Sequence, residues 1–127
     1  MANRRKTKDY NPFNCGVLHF MNLIGGKWKI LIMYAISQEF NRFSKLQRML
    51  PNISKQMLVN QLRELEADGI IERKVFAEVP PRVEYRLTEY GKSMIPVILE
   101  MQDWGVKDMR RKGNLEVQEK IVVLEEL

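Results

Sequence analysis

Residues 42–87 contain two short helical patterns on either side of a proline turn, with two strand patterns directly after them. In the first pattern, Ser44 and Gln47 have the spacing of a capping box, which predicts a helix of about two turns beginning at Ser44. Pro51 ends this helix, because the residue before a proline avoids helical backbone angles. Ser54 then caps a second helix. Two helices joined by so short a turn indicate a helix-turn-helix.

The second helix has an apolar face and a polar face. Leu58, Leu62 and Leu65 recur at spacings of four and three residues, which predicts that they pack inward, and Asp68-Gly69 ends the helix. The opposite face carries amides, a valine and cations, which can bind base edges or phosphates. The alternative is that this polar face is merely hydrated. The residues predicted to contact DNA are Arg42, Ser44 and Lys45 on the first helix and Ser54, Lys55, Gln56, Val59, Asn60 and Arg63 on the second.

Two strand patterns follow the helix pair. Positions 71, 73 and 75 alternate with more polar neighbours, and the apolar positions 83, 85 and 87 alternate with charged ones, as in half-buried strands. Residues 77–81 contain two prolines, which cannot donate in a strand ladder, so they are predicted to form the hairpin loop. A helix-turn-helix followed by a hairpin is a winged helix, and Arg82 on the wing can reach a minor groove. The alternative is that Arg82 is an ordinary loop cation.

Further helical patterns flank the winged helix. Before it, residues 15–23 predict a short helix and residues 27–37 a central helix that is apolar almost all round. After it, Thr88 caps a predicted long helix that extends through Trp104, with Pro96 as an internal kink. The fold class is therefore mainly α with a small β-hairpin (α+β): a winged helix-turn-helix with additional N- and C-terminal helices.

The C-terminal helices carry more apolar surface than a small wing domain can cover. This surplus favours a homodimer. The alternative is that both helices simply close the core of the monomer. The apolar residues concerned are Met94, Val97, Ile98, Met101 and Trp104 on the long helix and Val117, Ile121 and Leu124 on a last helix capped by Asn114.

Charge is unevenly distributed along the chain. The net charge is +5, but residues 114–127 contain one lysine and four glutamates, so the other 113 residues hold 20 basic and 12 acidic side chains, a net charge of +8. A basic body indicates a polyanionic partner, with nucleic acid favoured over an anionic membrane surface. We predict a basic N-terminal arm (residues 1–14), a winged helix-turn-helix domain with its dimerisation helices (residues 15–113) and an acidic C-terminal helix that contacts the partner subunit (residues 114–127).

Residues that enzymes use for catalysis are scarce. The chain has one histidine and one cysteine, without zinc spacing and without a serine placed beside His19. Gly25-Gly26-Lys27 lacks the other residues of a phosphate loop. We therefore predict a protein that is not an enzyme and that uses no metal or cofactor. The lone cysteine, the absence of a signal-peptide core and the absence of an apolar run of ~20 residues predict a cytoplasmic protein with no membrane partner.

Several short motifs are spread over residues 15–105. They are IGGKW (24–28), RFSKL (42–46), IS (53–54), LRELEADG (62–69), VPPRVEY (79–85), LT (87–88), Gly91 and WG (104–105). Together they resemble the motifs of the HxlR-type winged helix-turn-helix transcriptional regulators of bacteria. The resemblance implies a homodimer that binds palindromic double-stranded operator DNA, with the first helix and the C-terminal helices at the interface. A winged-helix adaptor that binds proteins instead of DNA is the alternative.

Cys15 is the single cysteine of the chain. It lies at the predicted start of the first helix, where the helix dipole favours the thiolate, and His19 lies one turn further on the same face. From that position His19 can also favour the thiolate. The resemblance implies that a quinone, another electrophile or an oxidant can be sensed through a cysteine at this place. The alternative is that Cys15 is a small buried hydrophobe and His19 a bystander. We predict no metal site at this pair.

Overall fold

The structure is a computed structural model, and it describes residues 10–113. The element order confirms the predicted fold, a mainly helical winged helix-turn-helix with one β-hairpin. Residues 1–9 of the predicted arm and the predicted C-terminal helix of residues 114–127 lie outside the described range. The elements are α1 (Gly16–Ile24), α2 (Trp28–Ser37), α3 (Phe43–Met49), α4 (Lys55–Ala67), β1 (Ile71–Phe76), β2 (Arg82–Leu87), α5 (Glu89–Lys92) and α6 (Ile95–Arg111).

Helix α2 lies at the centre of the core and packs against α3, α4, α6 and β2. Because helices and the hairpin surround it, apolar residues are buried nearly all round it, as its sequence predicts; Ile32, Met33 and Ala35 are fully buried. Lys29 is the exception among the buried residues. Its ammonium group lies 2.6 Å from the Glu64 carboxylate of α4, and such pairing is what allows a charge to be buried at all.

Helix α3 begins two residues earlier than the capping box predicts, since that box makes Ser44 the N-cap. Its N-cap is Arg42, and no side chain caps it, so the predicted capping box at Ser44 is wrong. Ser44 lies exposed within the first turn. Phe43 packs against the core three residues before the fully buried Leu46, and this packing fixes the start of the helix in place of the serine hydroxyl.

Helix α4 has the ends that its sequence predicts. The Ser54 hydroxyl accepts a hydrogen bond from the Met57 N–H at 3.0 Å, which is a side-chain N-cap. At the other end, Gly69 has a φ of +74°, a left-handed conformation that glycine adopts without strain. The three leucines of the predicted apolar stripe are buried. The packing of α4 therefore turns its polar side outward.

The wing is an antiparallel hairpin in which Ile71 pairs with Leu87 and Phe76 pairs with Arg82. Residues 77–81 form its tip, as predicted. Because strand side chains alternate between two faces, Ile71, Tyr85 and Leu87 share the face that packs on the core. The outer face carries Glu72, Lys74, Phe76, Arg82, Glu84 and Arg86.

The predicted long helix with a kink at Pro96 is wrong: the chain forms two helices there. The Thr88 hydroxyl accepts from the Gly91 N–H at 3.0 Å and caps α5, which ends at Lys92. Helix α6 then begins at Ile95, with Pro96 in its first turn. Proline has no N–H to bond back to position 92, but a first-turn residue needs no such bond. A new helix start therefore replaces the expected kink.

The C-terminal apolar residues do not all serve the same surface. Met94 and Ile98 are buried in the core, whereas Val97, Met101 and Trp104 are exposed. The exposed three are spaced by four and three residues, so they form one stripe along α6. We call this the α6 stripe. Within the described residues, no helix is long and apolar enough to cross a membrane.

Candidate nucleic-acid interface

The outer side of α4 carries polar side chains that are free of core packing. With about 100° of rotation per residue, Gln56, Asn60 and Arg63 lie opposite the buried leucine stripe. None of the residues predicted to contact DNA is buried. Arg42, Ser44, Ser54, Lys55, Gln56, Asn60 and Arg63 are exposed, and Lys45, Val59 and Arg82 are partly buried.

Gln56 and Asn60 form a pre-oriented amide pair. The Gln56 Nε2 donates to the Asn60 Oδ1 at 3.0 Å, one helical turn away. The Asn60 amino group can still donate and the Gln56 oxygen can still accept. An adenine presents an acceptor and a donor side by side in the major groove, so two amides held in this way suit its edge.

The N-terminus of α4, on the same surface, has free donor groups of the kind that can bind a phosphate. Ser54 uses its oxygen as the N-cap, while its hydroxyl hydrogen can still donate outward. The first N–H groups of a helix lack partners within the helix, and they carry the positive end of the helix dipole. Arg42, Ser44 and Lys45 lie at the start of α3, the other helix of the pair.

Arg82 is held against the wing. Its guanidinium group lies over the Phe76 ring, with the central carbon 4.0 Å from the ring centre. Its Nη1 is 3.1 Å from Glu78 and its Nε is 3.3 Å from Glu84. The Nε contact has the distance of an ion pair but lacks hydrogen-bond geometry. Arg82 therefore has to leave two carboxylates before it can enter a minor groove.

Two further cations surround the same ring, and the sequence analysis did not single them out. The Lys74 Nζ lies 5.5 Å and the Arg86 guanidinium carbon 5.8 Å from the Phe76 ring centre. The two-residue period of the strands could have identified them, because it places Lys74, Phe76, Arg82 and Arg86 on the same face of the hairpin. The outer side of the wing thus groups three cations around one aromatic ring, and Glu78 and Glu84 form ion pairs with two of them.

Tyr85 lies between the wing and α4. Burial raises the pKa of its phenol; the nearby charges of Arg73 and Arg63 oppose this shift, and Glu66 adds to it. The phenol therefore stays neutral at physiological pH. The hairpin therefore lies beside the later turns of α4, which carry Arg63 and Glu66.

Cys15 is exposed and is the N-cap residue of α1. Its backbone N–H donates to the Asn11 Oδ1 at 3.0 Å, and the Asn11 Nδ2 donates to the Cys15 carbonyl at 2.8 Å. Cys15 is therefore not packed into the core of the subunit. His19 is exposed as well, and its backbone N–H donates to the Cys15 carbonyl. Within residues 10–113, no group of three or more His, Cys, Asp or Glu side chains is placed to hold a metal ion.

Comparison with known proteins places this surface in a family context. The family described as HxlR-like helix-turn-helix matches residues 23–113 of the chain. The chain is 44% identical over 123 residues to YdeP of Bacillus subtilis (strain 168), described as an uncharacterized HTH-type transcriptional regulator, and the match covers 94% of this chain and 96% of YdeP.

Solved structures give the same picture. The redox regulator HypR in its reduced form is 44% identical, with a TM-score of 0.68 over 76% of this chain and 94% of HypR. The diamide-treated form of YodB from B. subtilis is 36% identical, with a TM-score of 0.60 over 72% of this chain and 92% of YodB. The fold and the helix pair described above are therefore shared with regulators whose structures have been determined.

Proposed function

Because this chain belongs to the HxlR-like helix-turn-helix family of transcriptional regulators, we propose that it binds an inverted-repeat operator as a homodimer. The observation that carries the proposal is the outer side of α4, where a pre-oriented amide pair stands among exposed cations opposite a buried leucine stripe. A helix with those two sides can pack on the core and enter a major groove at the same time. Since its target is chromosomal DNA, we propose that the protein acts in the cytoplasm.

The proposed contacts fall into two classes. Gln56 and Asn60 read base edges, Val59 meets a thymine methyl group, and Lys55 and Arg63 bind guanine or phosphate. Phosphate contacts set the register of the protein on DNA without specifying sequence. We assign the phosphate contacts to Arg42, Ser44, Lys45 and Ser54. Arg82 enters the minor groove once its guanidinium group has left the carboxylates of Glu78 and Glu84. Two copies of α4 related by a two-fold axis then read half-sites about 34–36 Å apart.

Gln56→Ala is expected to weaken operator binding by about 1–3 kcal/mol and binding to random DNA far less, because the lost amide recognises a base edge. Lys45→Ala is the matched control. As a phosphate contact it should weaken both kinds of DNA alike and flatten the dependence of affinity on salt.

The measurement is an anisotropy titration at several salt concentrations. Its operator is taken from genomic fragments that the purified protein retains, sequenced and tested singly. Equal losses for Gln56→Ala on operator and random DNA would show that α4 does not read sequence at this position. The alternative, an adaptor that binds proteins instead of DNA, is favoured by two results together. No DNA fragment is enriched, and neutralising the cations of the proposed DNA-binding surface leaves binding to a partner protein unchanged.

We also propose that Cys15 makes the regulator responsive to electrophiles or oxidants. The thiol is exposed, and structurally similar proteins include one called a redox regulator and one crystallised after diamide treatment. The thiolate would add to a ring carbon of a quinone and form a carbon–sulfur bond; the displaced π electrons would move to a carbonyl oxygen, which takes up a proton to give a hydroquinone thioether. Diamide would take two electrons and two protons from two thiols, leaving a disulfide and a hydrazine product.

The chain contains one cysteine, so the second thiol must come from elsewhere. It is either the same cysteine of the second subunit or a small thiol such as glutathione. A bond between subunits requires the two Cα atoms to lie within about 7 Å. Either product sits at the start of α1, where it can alter the proposed dimer interface and with it the spacing of the two α4 helices.

Cys15→Ser is expected to keep the operator affinity of the reduced protein and to lose its response to diamide and quinone. The wild type should lose at least about tenfold in affinity under the same treatment, which is within the usual range of coupling between two sites. Operator titrations of both proteins, with and without oxidant, provide the measurement. Mass spectrometry that shows Cys15 modified while DNA binding is unchanged excludes the thiol as the switch.

A further inference from the structure

We propose that the ion pair between Lys29 and Glu64 is a positioning device that fixes the rotation of α4 about its own axis. It would thereby determine which side chains of α4 face a DNA groove. The inference deepens the proposed function and rests on it, because it assigns a role in DNA reading to two residues that need not touch DNA.

The pair connects the central helix to the DNA-facing helix. Lys29 is in the first turn of α2 and Glu64 is in the last turn of α4. The Nζ lies 2.6 Å from the Oε1, and the two side chains are 5% and 15% exposed. At that burial the contact is poorly screened by solvent, unlike the exposed ion pairs on α6. It is therefore a strong, directional link between two packed helices.

Glu64 has a special place on the circumference of α4. With about 100° per residue, it lies about 120° from the centre of the buried leucine stripe, on the flank of the helix. It also ends a row of residues spaced by four: Gln56, Asn60 and Glu64. Gln56 donates to Asn60 within this row. The ion pair thus anchors the same ridge that carries the proposed base-reading amides.

Leucine packing alone does not set this rotation closely. Apolar burial is non-directional, so the leucine stripe restrains the rotation of α4 less closely than a hydrogen-bonded ion pair does. Side-chain tips lie about 5–6 Å from the helix axis, so a rotation of about 20° moves them by about 2 Å. Hydrogen bonds to bases tolerate only a few tenths of an ångström. A second, directional restraint on the flank therefore decides whether the amides meet a base edge.

Stability alone gives a weak reason for a buried ion pair at this place. Apolar residues of similar volume often replace such pairs without loss of stability, whereas removal of one partner is strongly destabilising. Folding and positioning can therefore be separated by experiment. The double variant Lys29→Met/Glu64→Leu removes the directional contact, keeps an apolar filling and leaves the net charge of the chain unchanged.

The test compares wild type, both single variants and the double variant. We expect each single variant to lower the Tm and the double variant to recover most of that loss. The double variant should nevertheless show an operator-to-random affinity ratio lower by about tenfold, a typical effect of one lost base contact. Its affinity for random DNA should stay within about twofold of wild type, because its phosphate contacts and net charge are unchanged.

Lys92→Met is the matched control for loss of a cation, since it breaks an exposed pair with Glu89. It should leave the affinity ratio unchanged. A double variant that recovers its Tm and also keeps the wild-type ratio overturns the positioning role. Should the double variant not fold, Glu64→Asp retains the charge and retracts the carboxylate. A folded Glu64→Asp protein with an unchanged ratio overturns the role equally.

A second readout does not depend on DNA. The side-chain amide NMR signals of Gln56 and Asn60 should shift in the double variant, while the backbone amide signal of Ile71, which is buried at the start of β1, stays in place. Superimposable spectra for wild type and double variant would exclude positioning whatever the DNA result. A wild type that prefers no sequence would refute the proposed function, and the spectra would still decide whether the pair sets the rotation of α4.

Discussion

Gly91→Ala is expected to lower the free energy of unfolding by about 3 kcal/mol or more, a large effect for the addition of one methyl group. A Cβ at this position would lie 2.2 Å from the Ile70 carbonyl oxygen and 3.2 Å from its carbonyl carbon. Both are backbone atoms at the start of the wing, so no side-chain rotation can relieve the contact. Either α5 or the strand has to move.

The Ile70 carbonyl cannot move without further losses. It accepts a hydrogen bond from the Thr88 N–H at 3.0 Å, and the Thr88 hydroxyl donates to the neighbouring Gly69 carbonyl at 2.6 Å. The same hydroxyl caps α5 by accepting from Gly91. A displacement of a few tenths of an ångström therefore weakens several hydrogen bonds that join the wing to the C-terminal helices.

Urea unfolding followed by circular dichroism provides the measurement, and Gly16→Ala provides the control. Gly16 is in the first turn of α1, and none of the described heavy atoms lies within 4 Å of the position of its Cβ. Alanine there should be neutral or slightly stabilising. A Gly91→Ala protein as stable as Gly16→Ala would mean that the wing and α5 adjust freely to one another.

Local signals in the sequence predicted the parts of the fold that local chemistry controls. Ser54 caps α4 and Gly69 follows its end because each interaction involves backbone within a few residues. The leucine stripe of α4 was equally predictable from spacing. The alternation of the two strands likewise gave the hairpin and its tip.

Predictions failed where tertiary packing outweighed a local signal. Ser44 had the spacing of a capping residue, but Phe43 packs on the core and starts α3 earlier. Pro96 indicated a kink, whereas the cap at Thr88 and the close approach of Gly91 to Ile70 produce a separate short helix. Neither the burial of Phe43 nor the position of Ile70 is contained in a short window of sequence.

In the candidate site, too, local features could be predicted from the sequence, whereas contacts between distant residues could not. Spacing alone predicted which residues lie on the outer side of α4. The carboxylate contacts of Arg82 depend on the strand register and on the path of the hairpin tip. The Lys29–Glu64 pair joins residues 35 positions apart. Such partners follow from the packed fold, so they became visible only in the structure.

Trp104→Glu is expected to break the proposed dimer and to lower operator affinity by ~10²–10⁴, the usual gain from linking two binding units. Trp104 is 68% exposed, and Val97 and Met101 of the α6 stripe are each about half exposed. Val17 and Met21 on α1 are exposed apolar residues as well. Apolar surface of this extent marks an interaction site on a small domain. The carboxylate introduced at position 104 would be buried without a partner in the dimer, and this would oppose association of the two subunits.

Two controls separate loss of the interface from loss of the fold. Trp104→Phe keeps a large aromatic ring and should retain most of the dimer. Tyr90→Glu places the same charge on an exposed aromatic residue of α5, outside the α6 stripe, and should leave assembly unchanged. Because Trp104 packs little within the monomer, the circular dichroism spectrum of Trp104→Glu should match that of wild type.

Sedimentation velocity at micromolar concentration measures the assembly, and anisotropy titration measures operator binding. The inverted-repeat proposal requires the two to change together, since one α4 helix can hold only one half-site. A Trp104→Glu protein that sediments as wild type would remove the α6 stripe from the interface. A monomeric variant that retains full operator affinity would instead show that a single subunit recognises the whole site, and the two-fold arrangement of α4 helices would have to be abandoned.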